Sequence, residues 1–247
     1  MRRITGILCA AALAAAVATS PARAGEGDHD PIEGFNRKIF WFNDKVDQYA
    51  LEPVAKGWDF IAPDPVQRGI SNFFDNLRFP INTINDVLQG KPIDAGKAVG
   101  RFCVNTTVGV LGFLDPASKW GLERHLEDFG QTLGVWGIPT GPYLVLPFLG
   151  ASSPRDAAGI AADYALSVTP FFIDQFILTG ARLVDTVNER SRYIKEVQDA
   201  KASAFDYYSF IRNAYFQRRK ALVDDSRETP EGESANTDLY ILEPEHP

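Results

Sequence analysis

Sulfur and imidazole are scarce in this chain. Its 247 residues include two cysteines, one methionine and three histidines. Two cysteines are too few for a disulfide framework or a cysteine-ligated zinc. Three histidines leave little material for general-base chemistry. Positive charge is also in short supply: 25 Lys+Arg stand against 32 Asp+Glu, giving a net charge of −7 and a pI near 5.0. A nucleic-acid binder normally carries a basic stripe to neutralise phosphates, so that class is excluded. No apolar stretch reaches the ~20 uninterrupted residues of a membrane-spanning helix. Alternating strand-like patterning is confined to a short piece, Tyr143–Phe148.

What is present suits a folded domain. Hydrophobic residues make up 45% of the chain, enough for a core without staples and too many for a wholly disordered polymer. The start reads as an export signal over residues 1–24: Arg2 and Arg3, an apolar core from Ile7 to Val17, then the small-x-small pattern Ala22-Arg23-Ala24. Cys9 has only eight residues before it, too few for a charged region plus an apolar core, so it is not read as a lipid acceptor. Cleavage before Gly25 would leave Cys103 unpaired, and it reads as a small apolar core residue. Residues 224–247 hold eight acids against Arg227 alone and read as a disordered, solvating tail. The expected fold is therefore one helical domain over 25–223.

Along that domain the apolar spacing is helical. Phe35, Ile39, Phe42, Val46 and Tyr49 recur at intervals of four, three, four and three, and Pro53 is expected to end that helix. Asp64-Pro65 reads as an N-cap with a first-turn proline, opening a helix with Val66, Ile70, Phe73, Phe74 and Leu77 inward. Gly90 closes the next segment, and Pro92 opens one that carries Ile93, Val99, Phe102 and Cys103. Asp128–Trp136 and a helix capped by Ser153-Pro154-Arg155-Asp156 follow. The second is rich in Ala and Gly, which lets helices approach closely. A long amphipathic helix from Phe171 to Val197, interrupted near 199–202, and a last one from Ala204 to Val223 complete an all-α reading.

The informative stretch lies between Asp128 and Arg155: 26 residues without a charge, broken by five glycines and four prolines. It is too interrupted to span a bilayer as a helix. It is also too apolar, with Trp136, Tyr143, Leu144, Val145, Leu146, Phe148 and Leu149, for an ordinary surface loop. Irregular backbone at membrane depth is tolerated where protein buries it or where it lines a cavity; a glycine-rich connector buried in a soluble core is the equal alternative. A second uncharged run between Arg101 and Asp115, and aromatic surface beyond one narrow face on the first helix, fit amphipathic helices lying in a membrane interface.

Catalytic constellations are missing. His125 is the one histidine inside the domain, reads as a surface residue, and has no G-x-S-x-G elbow to serve. Asp28-His29-Asp30 has ligand-type side chains crowded into adjacent positions, Glu127-Asp128 reads as first-turn carboxylates, and Gly109–Gly112 lacks the strand of a phosphate loop. No enzyme is expected.

A collinear set of motifs then resembles one family. These are Asp30-Pro31-Ile32-Glu33-Gly34-Phe35-Asn36-Arg37, Phe42-Asn43, Arg68, Ser71-Asn72-Phe73, Leu88-Gln89-Gly90, and Arg101-Phe102 with Asn105-Thr106. Glu127 through Gly134, Gly141-Pro142-Tyr143, Leu146-Pro147, Arg155-Asp156 and Ala214 through Arg218 continue the series. Over about residues 28–220 the chain resembles the MlaA (VacJ) family. The resemblance implies a ring-like bundle of amphipathic helices in the periplasmic leaflet of an outer membrane, with a central amphipathic channel. The implied role is intermembrane phospholipid transport that maintains lipid asymmetry. Implied partners are phospholipids, a trimeric porin and a soluble periplasmic carrier, with no cofactor and no metal. The alternative is a porin-associated interaction protein without transport of its own.

The chain departs from the family in two places: no acceptor cysteine stands near Ala24-Gly25, and Gly150-Ala151-Ser152 replaces a glycine-proline step. Candidate lipid-path residues are Phe42, Asn43, Tyr143, Leu144, Leu146 and Phe148. Asn36, Arg37, Arg101, Asn105, Arg155 and Asp156 read equally as caps and buried pairs.

Overall fold

A computed structural model describes residues 30–167 and 173–228, with side chains to 224. The expected export signal, Cys9, His29 and the tail beyond 228 lie outside the described residues. Helices dominate: α1 (Glu33–Val46), α2 (Glu52–Ile61), α3 (Asp64–Leu77), α4 (Phe79–Leu88), α5 (Pro92–Thr107), α6 (Pro116–Lys119) and α7 (Phe129–Val135). A two-stranded antiparallel hairpin follows, β1 (Leu144–Leu146) with β2 (Gly150–Ser152), pairing Leu144 with Ser152 and Leu146 with Gly150. Then come α8 (Pro154–Leu166), α9 (Gln175–Arg192), α10 (Ile194–Ser203) and α11 (Tyr207–Glu228). α11 thus carries helix five residues past the point where the tail was expected to begin.

Local chemistry explains most boundaries. After α4, the Lys91 amide donates to Asp86 O and the Gly90 amide to Val87 O, the paired bonds of a Schellman end, with Gly90 at φ +78°. Asp128 caps α7 by accepting from the Gln131 amide at 2.8 Å, and Ser153 caps α8 by accepting from Asp156 N at 3.1 Å. Asp156 is engaged by Arg155, Tyr215 and Arg219. Glycine sets the α7–α8 approach: a Cβ on Gly159 would sit 2.4 Å from the Gly130 nitrogen.

Several expectations are corrected. Pro53 does not end the first helix. A π-helical turn, Asp47–Leu51, joins α1 to α2, and its wider ring makes room for the pyrrolidine that would otherwise strike the carbonyl four residues back. Asp64 is the first residue of α3, makes no side-chain cap, and Pro63 stands at the N-cap. The break in the long helix falls at Tyr193, between α9 and α10, because the chain there leaves helical ψ before Ile194 restarts it. Residues 171 and 172 of that expected helix lie outside the described set. Cys103 is exposed, since α5 buries Ala95, Ala98 and Asn105 instead.

That last correction is general. Among the described residues ten hydrophobic side chains are buried, five of them alanine, against nineteen polar or charged ones. Thirty-two large hydrophobic side chains are exposed, Phe60 at 91% and Phe176 at 86% among them. Val66 of α3 faces out while Gln67, Gly69, Ser71 and Asn76 face in. Of the stripe Phe35, Ile39, Phe42, Val46 and Tyr49, Phe35, Phe42 and Tyr49 are exposed, Ile39 and Val46 are half-buried, and the one fully buried residue of α1 is Asn36. The helical period was readable; of the expected inward set on α3 Val66 is exposed, while Ile70, Phe73, Phe74 and Leu77 are half-buried and the fully buried places go to polar side chains.

Among the described residues one cluster forms an ordinary core. Tyr143, Val145 and Tyr208 are buried together, with Ile39, Phe40, Ala151, Tyr215 and Phe216 packed around them. It fastens α1 and α11 to the hairpin. Elsewhere α4 packs on α5, α7 on α8, α2 and α3 on α9, and α11 on α7.

Candidate functional site

Two asparagines seven apart on α1 hold the hairpin. Asn36 Nδ2 donates to the Tyr143 carbonyl at 2.9 Å, and its Oδ1 accepts from the Val145 amide at 3.0 Å. Two turns on, Asn43 Nδ2 donates to Leu146 O and its Oδ1 accepts from Phe148 N, both at 2.9 Å. Side-chain amides thus bond to the backbone as a neighbouring strand would. The tip this creates is apolar and bare: Phe148 is 74% exposed at φ +63°, Leu149 follows it outward, and the Phe42 ring meets Phe148 edge-on at 5.3 Å.

Of the predicted path residues, Phe42, Asn43, Leu146 and Phe148 therefore meet at one place, with Leu144 half-buried on the same strand. Tyr143 does not join them. It is fully buried against Tyr208, Tyr215 and Phe216, and so belongs to the core. Burial also pushes its hydroxyl pKa up to about 12. Asn36, Arg101, Asn105, Arg155 and Asp156 are bonded inside the fold, as caps and pairs require. Alongside the clamp a groove of about 300 Å³ opens between α1 and the start of α11, lined by Arg37, Phe40, Trp41, Asp44, Asp206 and Tyr207.

The other half of the molecule is polar within. Asn188 of α9 donates to Gln67 O and Ser71 Oγ at 3.0 Å each, and accepts from the Trp58 indole at 3.1 Å. Asn105 takes the Ala117 amide and donates to Asp115, and Asn76 donates to Thr106. Between α3, α4 and α5 these residues leave a small cavity of about 30 Å³, walled by Asn76, Asn82, Asn105, Arg101, Arg124 and His125. That volume suits about two waters and not a lipid. His125, expected at the surface, is half-buried here with its Nε2 2.8 Å from Asp86 Oδ1, because Asp86 points out of α4 directly at it.

Sequence reasoning missed this lining, although a signal existed. Asn82, Asn85, Asp86 and Gln89 recur at three, four and seven along α4, one polar stripe opposite Ile84 and Val87.

A charged latch closes the bundle. Arg219 of α11 donates to Asp128 at 2.6 Å and to Asp156 at 3.0 Å, joining the cap of α7 to the first turn of α8. Burial alone would raise the Asp128 pKa; the Arg219 guanidinium more than offsets this and holds it below the usual carboxylate range. What the arrangement offers chemically is partition, with many apolar side chains outside and hydrogen-bonded polar ones inside; among the described residues no helix is long and apolar enough to cross a membrane.

The model of the family described as MlaA lipoprotein matches residues 28–222. The chain belongs to the MlaA family. Among its relatives is an intermembrane phospholipid transport system lipoprotein MlaA of Haemophilus influenzae, 32% identical over 244 residues and covering 96% of each chain. The protein of the same name from Escherichia coli is 32% identical over 233 residues, 89% of this chain and 90% of that one. An uncharacterized protein of Rickettsia bellii is 35% identical, covering 79% and 77%. A solved structure described as "Structural basis for maintenance of bacterial outer membrane lipid asymmetry" matches with TM-score 0.70 and 35% identity, over 78% of this chain and 98% of that chain.

Proposed function

We propose that this MlaA-family chain takes part in intermembrane phospholipid transport, removing misplaced phospholipid from the outer leaflet of an outer membrane. The observation that carries this is the partition among the described residues: thirty-two exposed large hydrophobics, with nineteen polar or charged side chains buried against ten hydrophobic ones. Contiguous apolar patches beyond a few hundred Å² on a protein surface mark contact with a partner or a membrane. Set into a leaflet, the exposed apolar surface becomes the favourable face, each buried side chain contributing about 1.5–3 kcal/mol. On this reading the helices form a ring in the periplasmic leaflet and enclose an amphipathic path. Phe42, Asn43, Leu144, Leu146 and Phe148 stand where acyl chains enter. The protein makes no covalent change; it lowers the barrier for a charged headgroup crossing hydrocarbon. A porin neighbour and a soluble periplasmic carrier complete the route.

The test has two parts. Deleting the gene is expected to make outer-leaflet phospholipid accessible to added phospholipase, and detergent-extracted protein is expected to carry phospholipid seen by mass spectrometry. In vesicle flotation, replacing Leu111, Phe113 and Leu114 together with serine should lower binding at least tenfold while circular dichroism stays unchanged. A protein that floats with no vesicle and carries no lipid overturns the proposal. Porin co-purification without lipid transfer in reconstituted vesicles would leave the interaction-protein alternative standing.

A further inference from the structure

Beside the polar cavity, an extended segment of residues 122–128 crosses α4 on its way to α7. Asp86, His125 and Glu127 each offer a ligand atom there, and the three atoms lie within 4.8 Å of one another. Asp86 is entirely buried and Glu127 nearly so. His125 Nε2 meets one Asp86 oxygen at 2.8 Å, while Glu127 accepts from the Gln89 amide at 2.8 Å and pairs with Lys91 at 3.2 Å. The second Asp86 oxygen and the Gln89 amide oxygen are then left buried without a hydrogen-bond donor among the described residues. Buried acceptors in that condition are rare and call for water or an ion. Two of them beside a His-carboxylate-carboxylate cluster mark a place short of positive charge.

We infer that this cluster binds one divalent transition metal of the zinc type through Asp86, His125 and Glu127, with the Gln89 carbonyl or water as fourth ligand. An imidazole with two carboxylates is a donor set zinc accepts, whereas calcium and magnesium take shells of oxygen. Zinc bonds of about 2.0–2.2 Å bring tetrahedral ligand atoms to roughly 3.3 Å apart, so the cluster must contract. The extended segment, free of regular secondary structure, can supply that shift while α4 holds Asp86. Lys91 is the competitor, since its ammonium must leave Glu127 as the metal enters. Bound metal would pin one wall of the polar cavity, which His125 itself lines.

Zinc chloride titrated calorimetrically into metal-stripped protein in detergent tests this, in a His29→Ala, His246→Ala background that removes the other two imidazoles. One saturable site per chain is expected, weakened at least tenfold by Asp86→Asn and by His125→Ala. Lys91→Gln should tighten it, and magnesium chloride should give no comparable heat. His125 is half-exposed, so its alanine variant keeps the test alive if Asp86→Asn fails to fold by circular dichroism. No saturable binding, or binding indifferent to both ligand variants or to Lys91→Gln, overturns the inference and leaves ordered waters on the two orphan oxygens.

Discussion

The hairpin region and the α3–α5–α9 body are held together by opposite means. Around Tyr143 and Tyr208 the glue is apolar area: aromatic rings stand about 5.8 Å apart, edge to face or tilted. In the body Asn76, Asn82, Asn105 and Asn188 are buried beside small or aliphatic Ala95, Ala98 and Leu178, and much of the glue is hydrogen bonding. Exposed apolar chains around such a body are what the proposed leaflet setting would accommodate, while the hairpin region has the aromatic core any folded domain could carry.

The comparison can be broken from either side. Tyr143→Ala should cost the most, about 3–5 kcal/mol, by emptying the aromatic core. Tyr143→Phe should change stability by under ~1 kcal/mol, because the hydroxyl has no partner among the described residues. Denaturant unfolding in detergent, followed by tryptophan fluorescence, reads both. Next, Asn188→Ala should cost about 2–4 kcal/mol, since the Trp58 indole and Gln67 carbonyl lose their partner at once. If Asn188→Leu were instead stabilising, the body would be an ordinary core and the contrast would vanish.

A smaller effect is electrostatic. Burial, with Glu189 and Asp75 nearby, raises Asp185 to about 6. A carboxyl raised in the folded state binds more protons there than in the unfolded chain. Stability is thus greatest below the ordinary carboxylate pKa and falls as pH rises towards 6. Asp185→Asn should flatten unfolding midpoints across that window and raise stability at neutral pH. Asp128 works the other way: its lowered pKa gives stability that is lost as acid drops pH below the usual carboxylate range. The smallest effect is expected at Val110, a β-branched residue at φ +55° in the apolar 108–114 loop. Val110→Gly should raise the unfolding midpoint by the equivalent of up to about 1 kcal/mol, as relief of a left-handed backbone outweighs added chain entropy.

Element positions were legible where a local rule decides them. Gly90, Asp128 and Ser153 mark ends because the chemistry of a helix terminus needs nothing distant. The inward face was not legible. Period 3.6 groups Phe35, Phe42 and Tyr49, yet says nothing of whether protein or lipid lies opposite. Pro53 misled for a related reason: the π-turn that absorbs it is set by the ion pairs of Asp47 with Arg190 and Lys201, more than 140 residues away. Of the path candidates, Leu146 and Phe148 of the uncharged stretch meet Phe42 and Asn43 of α1 through the Asn43 amide and the Phe42 ring. Tyr143 shared that composition and became core. The Asp86–His125–Glu127 cluster escaped notice because its members pair across 39 and more residues of sequence.

The amide clamp from α1 has one more consequence. A two-stranded ribbon leaves hydrogen-bonding groups along its margins, and such margins invite pairing with any passing extended chain. Asn36 occupies the Val145 amide and Asn43 ties down the Phe148 amide, so a helix does for this ribbon what a third strand does elsewhere. The protein can hold out a greasy, unguarded tip without offering a template for aggregation beside it.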